Sequence, residues 1–276
     1  MLALKRYQQI LGRLEAQGVV RTIDLAKALE VTDETIRRDL QILETEGKLT
    51  RIHGGASNQK SPFELRSFNE RRNLNIGAKQ AIAQAALSLI QPKHTYAFDS
   101  STTALALIAL LPNQPYRVIT NAHAVMEELK NKEAIELVST GGRYHPKTNT
   151  YVGGDSMQAL SRHKVHAAFV SCIGFDAERG ASEGFEEQAS YKERLTLLAE
   201  KVILLVDSSK FESRSEYFFA ATQNIDHIVC DDGISIEFEQ KIRSMGIKLT
   251  IAGPLKADIS MSCLLYTSPS PRDGLL

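Results

Sequence analysis

The sequence predicts an α/β chain in two unequal parts: three short helices closed by a hairpin, then a Rossmann-like, mostly parallel sheet with helices on both faces. Three observations predict it. The stretch from Val31 to Leu40 reads as a capped amphipathic helix that keeps a threonine and two arginines off its apolar stripe. A run from Lys48 to Ala56 alternates briefly and carries a double glycine, Gly54-Gly55. Beyond Pro92, seven short apolar runs are separated mostly by helical patterns, the usual sequence form of a parallel sheet.

In the first part, Ile10, Leu11 and Leu14 stripe a helix that ends near Gly18, and a short Val19-Val20-Arg21 run follows. Thr22 is placed as the N-cap of a second helix, with Ile23, Ala26 and Leu29 on its buried side. Glu30-Val31-Thr32 is short and polar enough for the corner of a helix-turn-helix. Thr32 caps the third helix, Asp33 and Glu34 suit the positive end of its dipole, and Ile36, Leu40 and Leu43 stripe its core side. Thr35, Arg37 and Arg38 are left on the flank, where arginine can pair with guanine or grip phosphate in a major groove. The helix stops at Gly47, and the hairpin behind it reads as a wing that projects Arg51 and His53 toward the DNA backbone or minor groove. The same pattern fits a small helical domain with a solvated arginine face. Charge does not separate the two readings, since residues 1–56 carry nine Lys+Arg against eight Asp+Glu. The order of caps, stripes and wing carries the DNA-binding reading of residues 1–57.

A polar stretch from Ser57 to Pro62 marks the boundary. Residues 58–75 are expected to form a linker and the start of a connecting helix, whose apolar part is Ala81 to Ile90, and residues 76–252 a second domain. The expected strands are Thr95–Phe98, Val118–Thr120, Ile135–Val138, Ala167–Cys172, Val202–Val206, His227–Cys230 and Lys248–Ile251. Ligands of such sheets sit at the carboxyl ends of the strands. That singles out Asp99, Ser100, Ser101, Thr102 and Thr103 after the first run, Asn121 after the second, Gly141 and Gly142 after the third, and Lys210 after Val202–Val206. Hydroxyls and amides opening the helix Ala104–Leu111 suit an anion. Asp99 would repel a phosphate and is assigned to a sugar hydroxyl, while the glycines permit close backbone approach to a ligand. Each piece has a plain alternative: a cap cluster, a simple turn, a solvated lysine. Lys192, in a helix from Glu187 to Ala199, is expected to be exposed. The coincidence of polar groups at strand ends reads as a pocket for a phosphorylated polyol.

The 276 residues carry no net charge and 24% charged side chains, which excludes a polycation and a disordered tail protein. No apolar run approaches a membrane span and no signal peptide is visible, so a cytoplasmic protein without membrane contact is expected. Cys172, Cys230 and Cys263 have no metal-ligand spacing and are expected as reduced buried thiols. His94, His163 and His166 are not spaced as ligands, and no Ser-His-Asp or Cys-His array presents itself. No metal, cofactor or catalytic residue is assigned. Residues 253–276 lack any period and carry Ser-Pro repeats, and are expected as a disordered or non-native tail.

Two runs, Thr35-Ile36-Arg37-Arg38-Asp39-Leu40 and Gly47 to Ala56, resemble the recognition helix and wing of the DeoR family of bacterial sugar-catabolism regulators. The resemblance spans about Arg6 to Ala56 and implies a winged helix-turn-helix. It continues over residues 62–252 at Asp99 to Thr103, Thr120-Asn121, Gly141-Gly142, Gly174 and Asp207 to Phe211. There it resembles the family's sensor domain, whose fold is similar to ribose-5-phosphate isomerase, and implies a site for a phosphorylated sugar. Ser101 departs from the family's common glycine, narrowing room for the ligand, and Gln188 from a glutamate found in many members. The Ser-Ser-Thr version, with Ser171 to Asp176 and Thr120 to His123, resembles the fucose-operon activator branch and implies an effector such as fuculose 1-phosphate. The expected whole binds double-stranded operator DNA as a homodimer or homotetramer, since paired recognition helices need half-sites spaced by whole turns. Rival readings are a sugar-phosphate isomerase with an appended helical domain, using Asp99 or Glu187 as base, and a ligand-free adaptor.

Overall fold

The computed structural model describes residues 3–17, 19–45, 48–52, 54–57 and 66–253. Gly47, His53, Cys263 and the expected tail from 254 onward lie outside them. The N-terminal unit contains α1 (Ala3–Gln17), β1 (Val19–Arg21), α2 (Thr22–Leu29), α3 (Asp33–Thr45), β2 (Thr50–Ile52) and β3 (Gly55–Ser57). Its core joins Ile10 and Leu14 of α1, Leu25 and Leu29 of α2, and Ile36, Leu40 and Leu43 of α3, all buried. Burying side chains of this size stabilises by about 1.5–3 kcal/mol each. That packing, rather than propensity, holds an element as short as the 8-residue α2.

The strands pair antiparallel in the order β1-β3-β2, tying the wing back to the strand before α2. The double glycine has two separate causes. Gly54 turns at φ +81°, and a Cβ on Gly55 would stand 2.0 Å from the Val20 carbonyl oxygen in β1. Two expectations for α2 are corrected. Arg21, not Thr22, is the N-cap, and the Thr22 amide donates to the wing at Gly54 O, 2.8 Å away. The buried stripe runs Thr22, Leu25, Ala26, Leu29, so Ile23 falls outside it and is 56% exposed. The corner is the expected tight one: Glu30 turns left-handed at φ 54°, and the amides of Glu30 and Val31 both return to Ala26 O.

The second unit runs α4 (Phe68–Arg72), α5 (Ile76–Leu87), β4 (Thr95–Phe98), α6 (Thr102–Leu110), β5 (Arg117–Thr120), α7 (His123–Leu129), β6 (Glu136–Ser139), β7 (Arg143–His145), β8 (Thr150–Val152), α8 (Gly154–Leu160), β9 (Ala167–Val170), β10 (Gly174–Asp176), β11 (Gly180–Glu183), α9 (Glu186–Leu198), β12 (Val202–Val206), β13 (Tyr217–Ala220), β14 (His227–Asp231), α10 (Ile236–Ser244) and β15 (Lys248–Ala252). The seven expected runs form one parallel sheet, ordered β15-β14-β12-β9-β4-β5-β6. Alternate residues fall to opposite faces: Ala97, Val170 and Leu204 enter one core, Phe98, Phe169 and Leu205 the other. With both faces covered, the strands read as continuous apolar runs. The chain enters at β4, winds outward to β6, then returns to β9 and winds the other way to β15. Direction therefore reverses between β4 and β9, and a ligand crevice belongs at the carboxyl ends of those two strands.

The connecting segment is two helices rather than one. Ser67 and Glu70 form a capping box that opens α4, with Ser67 N–H donating to Glu70 Oε2 at 2.8 Å and Glu70 N–H to Ser67 Oγ at 3.3 Å. Asn75, left-handed at φ 48°, separates it from α5. Periodicity does not announce the antiparallel sheet β10-β11-β13 or the hairpin β7-β8. Their short strands hold buried polar groups such as Ser182, whose hydroxyl donates to Gly174 O at 3.0 Å. Among the described residues no helix is long and apolar enough to cross a membrane.

Candidate functional site

On α3, Thr32 caps as its sequence implies: Thr35 N–H donates to Thr32 Oγ1 at 3.3 Å. Arg37 and Arg38 are exposed and Thr35 half-buried on the flank away from the core. Arg37 approaches Glu34 only at 3.8 Å with both side chains in solvent, a pairing worth little, so it does not withhold Arg37 from a phosphate. Asp39 turns inward instead and is buried. Arg6 Nη2 of α1 donates to its Oδ1 at 2.9 Å and Nε to its Oδ2. Six successive residues thus divide into core (Ile36, Leu40), clamp (Asp39) and outward groups. Arg51 of β2 is exposed, and its amide donates to Glu44 Oε1 at 3.0 Å, holding the wing against α3. Thr22 is corrected as a DNA contact because it is buried. His53 lies outside the described residues.

At the reversal between β4 and β9, Asp99 and Ser171 follow the two strands and touch. Ser171 N–H donates to Asp99 Oδ2 at 2.9 Å, and Ser101 N–H to Oδ1 at 3.0 Å. Lys192 of α9 places its ammonium 2.9 Å from the same Oδ2, donates to the Ser171 carbonyl at 2.7 Å, and pairs with Glu183 of β11. Lys192 is 2% exposed, which corrects its expected exposure. The buried face of α9 is Gln188, Ala189, Tyr191, Lys192 and Leu195, polar groups whose partners come from distant strands. Burial opposes the ammonium, but Asp99 and Glu183 outweigh it and hold its pKa above the ordinary lysine value. The assignment of Asp99 to a sugar hydroxyl is corrected too. Fully buried and engaged by Ser101, Ser171 and Lys192, its carboxylate positions the crevice from within.

The neighbouring residues converge on the same edge. Ser100 Oγ accepts from Gln188 Nε2 at 3.2 Å, and Gln188 lies 3.4 Å from Thr150 Oγ1 of β8. Ser101 caps α6, accepting from Ala104 N–H at 3.1 Å. Asn121 Nδ2 donates to Tyr151 O at 2.9 Å. Lys210, half-buried, stands 3.3 Å from Ser171 Oγ and 3.4 Å from Asp207 Oδ2. Gly141 turns at φ +62° beside open space. Gly142, at φ +112°, is required by the hairpin: a Cβ there would meet Val152 O at 2.6 Å, so its expected approach to a ligand is corrected to an approach to β8.

Among the described residues six buried side-chain polar atoms lack a hydrogen-bond partner, and five are at this edge: Thr103 Oγ1, Asn121 Oδ1, Asp207 Oδ2, and Nε and Nη2 of Arg71. An unmade buried hydrogen bond costs about 1–3 kcal/mol, so such atoms are ordinarily paired, and their concentration marks a polar-ligand site. Arg71, and Lys79 beside it, come from the connecting segment and are not among the residues the sequence singles out. The Ser67–Glu70 capping box is the one local signal, since it starts a helix just ahead of Arg71. Burial depresses the Arg71 pKa despite Glu183 and Asp99 nearby. Lys79 donates to the carbonyls of Arg71 and Leu74, and burial, with Lys210 and Arg71 nearby, lowers its pKa to about 8 even beside Asp207.

A cavity of about 420 Å³ opens at the opposite edge of the sheet, at the amino ends of the strands, lined by His94, His166, His227, Lys201 and Lys248 among others. No expected site residue lies there. His166 Nδ1 accepts from Thr95 N–H at 3.0 Å and His227 Nε2 is 2.8 Å from Thr250 Oγ1. Cys172 and Cys230 are free, buried thiols, each pushed up to about 12 by burial and so unreactive.

Comparison with known proteins places this geometry. Residues 6–61 match the DeoR-like helix-turn-helix domain and residues 74–232 the DeoR C terminal sensor domain. An uncharacterized HTH-type transcriptional regulator of Bacillus subtilis, YulB, is 36% identical over 91% of this chain and 97% of its own length. The L-fucose operon activator of Haemophilus influenzae is 35% identical over 82% of this chain and 91% of its own. A putative aga operon transcriptional repressor of Escherichia coli is 33% identical over 90% of this chain and 94% of its own. Ribose 5-phosphate isomerase A of Methanocaldococcus jannaschii shares a partial likeness, 18% identical over 48% of this chain and 53% of that one with a TM-score of 0.37, which carries no functional weight. The chain belongs to the DeoR family and is a DNA-binding transcriptional regulator, not an enzyme.

Proposed function

We propose that this regulator controls a sugar-catabolism operon, reading operator DNA through α3 and the wing and taking a phosphorylated sugar at the carboxyl edge between β4 and β9. The observation that carries the reading is the gathering of buried polar atoms without hydrogen-bond partners at that edge, of which Asp207 Oδ2 has only the longer ion pair to Lys210. The first turn of α6, at Thr102 and Thr103, offers amides that lack intrahelical acceptors and suit an anion. Thr103 and Asn121 supply neutral polar contacts, Lys210 an ammonium, Ser100 the wall, and Gly141 the approach. Thr35, Arg37, Arg38 and Arg51 are the DNA contacts, with Thr32 as cap, in a homodimer or homotetramer. The effector acts by favouring one placement of the DNA-binding units over another, through different affinity for the two. A phosphorylated 6-deoxyhexose such as fuculose 1-phosphate is the favoured member of the class, supported by relatives that carry the fucose-operon name.

The test is a thermal-shift panel of hexose and pentose monophosphates, fuculose 1-phosphate included, each beside its unphosphorylated parent, on the full chain. A ligand that binds only the folded state adds about 2.7 kcal/mol at a hundred times its Kd. At least one monophosphate is expected to raise the transition and also to change operator binding. A flat panel leaves the ligand-free adaptor and sinks the sensor reading. On the DNA side, Arg38→Ala is expected to weaken operator binding by about 1–3 kcal/mol, the value of a bidentate base contact. An unchanged mobility-shift titration removes Arg38 from the interface.

A further inference from the structure

Arg71 is the residue of this site that protein contacts explain least. Its Nε and Nη2 are buried without a hydrogen-bond acceptor, although a guanidinium carries five donors in a rigid fork. Asp99 and Glu183 stand near enough to act on its charge, but Lys192 holds both by direct contact. Its backbone, by contrast, is fixed firmly. Arg71 O accepts from Lys79 Nζ and, at 3.5 Å, from Thr102 Oγ1 in the first turn of α6. Asn75, just beyond α4, donates to Asp207 Oδ1 at 2.9 Å at the end of β12. The segment from Arg71 to Asn75 is therefore anchored to α6 on one side and β12 on the other, while Nε and Nη2 of Arg71, whose guanidinium lies 5.9 Å over the Phe68 ring, stay buried without a hydrogen-bond acceptor, and Thr103 Oγ1 is likewise buried without a hydrogen-bond partner.

A fork with buried, unused donors next to a helix N-terminus matches the planar pair of oxygens of a phosphoryl group. The local charge allows it: Arg71, Lys79, Lys192 and Lys210 face Asp99, Glu183 and Asp207, four cations against three carboxylates. We propose that Arg71 is the residue that receives the phosphoryl group of the effector. Because Arg71 sits on α4, the short helix leading from the DNA-binding unit into the sensor, the bound phosphoryl bonds that helix to the first turn of α6. The anion is thereby both the specificity determinant and the link through which the site acts on the segment ahead of it. This inference rests on the sugar-phosphate reading above.

The experiment compares affinities for each sugar monophosphate that stabilises the wild-type chain, and for its unphosphorylated parent, in wild type, Arg71→Gln and Arg71→Lys. Two charge-assisted hydrogen bonds correspond to a preference for the phosphorylated form of about a hundredfold or more. In Arg71→Gln the preference is expected to collapse to within about tenfold while affinity for the parent sugar stays unchanged, and in Arg71→Lys, which keeps the charge and loses the fork, to fall between the two. A residue that only balances Asp99 and Glu183 would shift both affinities together and leave their ratio alone. An unchanged ratio in Arg71→Gln overturns the inference and leaves the sensor reading standing. Should Arg71→Gln not fold, the ratio in Arg71→Lys decides in the same way. A wild-type chain that binds no sugar monophosphate overturns both.

Discussion

Lys192→Met is expected to destabilise the sensor domain by about 3–5 kcal/mol, the usual cost of removing one partner from a buried ionic cluster. Methionine keeps most of the volume, so the loss is electrostatic rather than a cavity effect. Without the ammonium, the carboxylates of Asp99 and Glu183 stay buried without the cation that contacts both, and Arg71 makes no hydrogen bond to either through Nε or Nη2. Urea unfolding of both proteins measures the deficit. Adding Asp99→Asn removes one of the two stranded charges and should restore part of the loss, a non-additivity expected of residues in direct contact. Equal stability of Lys192→Met and wild type would show that the cluster contributes nothing as an ionic unit.

What the sequence disclosed and what it withheld divide along one physical line. The strands of the sheet were legible because the central ones, such as Ala167–Val170, Val202–Val206 and His227–Asp231, are buried throughout and so appear as compact apolar runs, while the edge strands Glu136–Ser139 and Lys248–Ala252 keep shorter ones. The third helix was legible because cap, dipole-matched acids and stripe all lie within a dozen residues, and Thr32 does cap it. Strand-end reasoning brought Asp99 to Thr103, Asn121 and Lys210 to one edge because a doubly wound sheet puts its loops there. It did not reach the partners. Lys192 and Gln188 look like solvated helix residues until Asp99, Glu183, Ser100 and Thr150 arrive from other parts of the chain. Arg71 looks like one more charge in a charged linker. Gly142 shows the converse error: its glycine is real, but β8 rather than a ligand demands it. Ile23 shows how a short helix goes partly wrong: Ala26 and Leu29 are buried as expected, but Thr22 and Leu25 complete the stripe in place of Ile23.

In the N-terminal unit the largest effect is expected at Asp39, not at the exposed arginines. Asp39→Ala removes the bidentate partner of Arg6 between α1 and α3 and should cost about 3–5 kcal/mol. A small three-helix core supplies only a few kcal/mol of net stability, so a loss of that size is comparable with the whole. Operator binding is thus expected to disappear because the unit unfolds, although Asp39 is buried against Arg6 rather than exposed beside Arg37 and Arg38. The sensor has its own two apolar cores, and its thermal transition and response to a sugar monophosphate should persist. Arg38→Ala should do the reverse, weakening binding while α1 to α3 keep their protection from hydrogen exchange. Asp39→Asn retains an acceptor for the guanidinium and should fall between wild type and alanine. Protected α1 to α3 amides in Asp39→Ala would mean that the apolar stripes of Ile10, Leu14, Leu25, Leu29, Ile36, Leu40 and Leu43 suffice alone. The inward turn of Asp39 would then matter only for aiming Arg37 and Arg38, and operator affinity in a folded Asp39→Ala would report that aim directly.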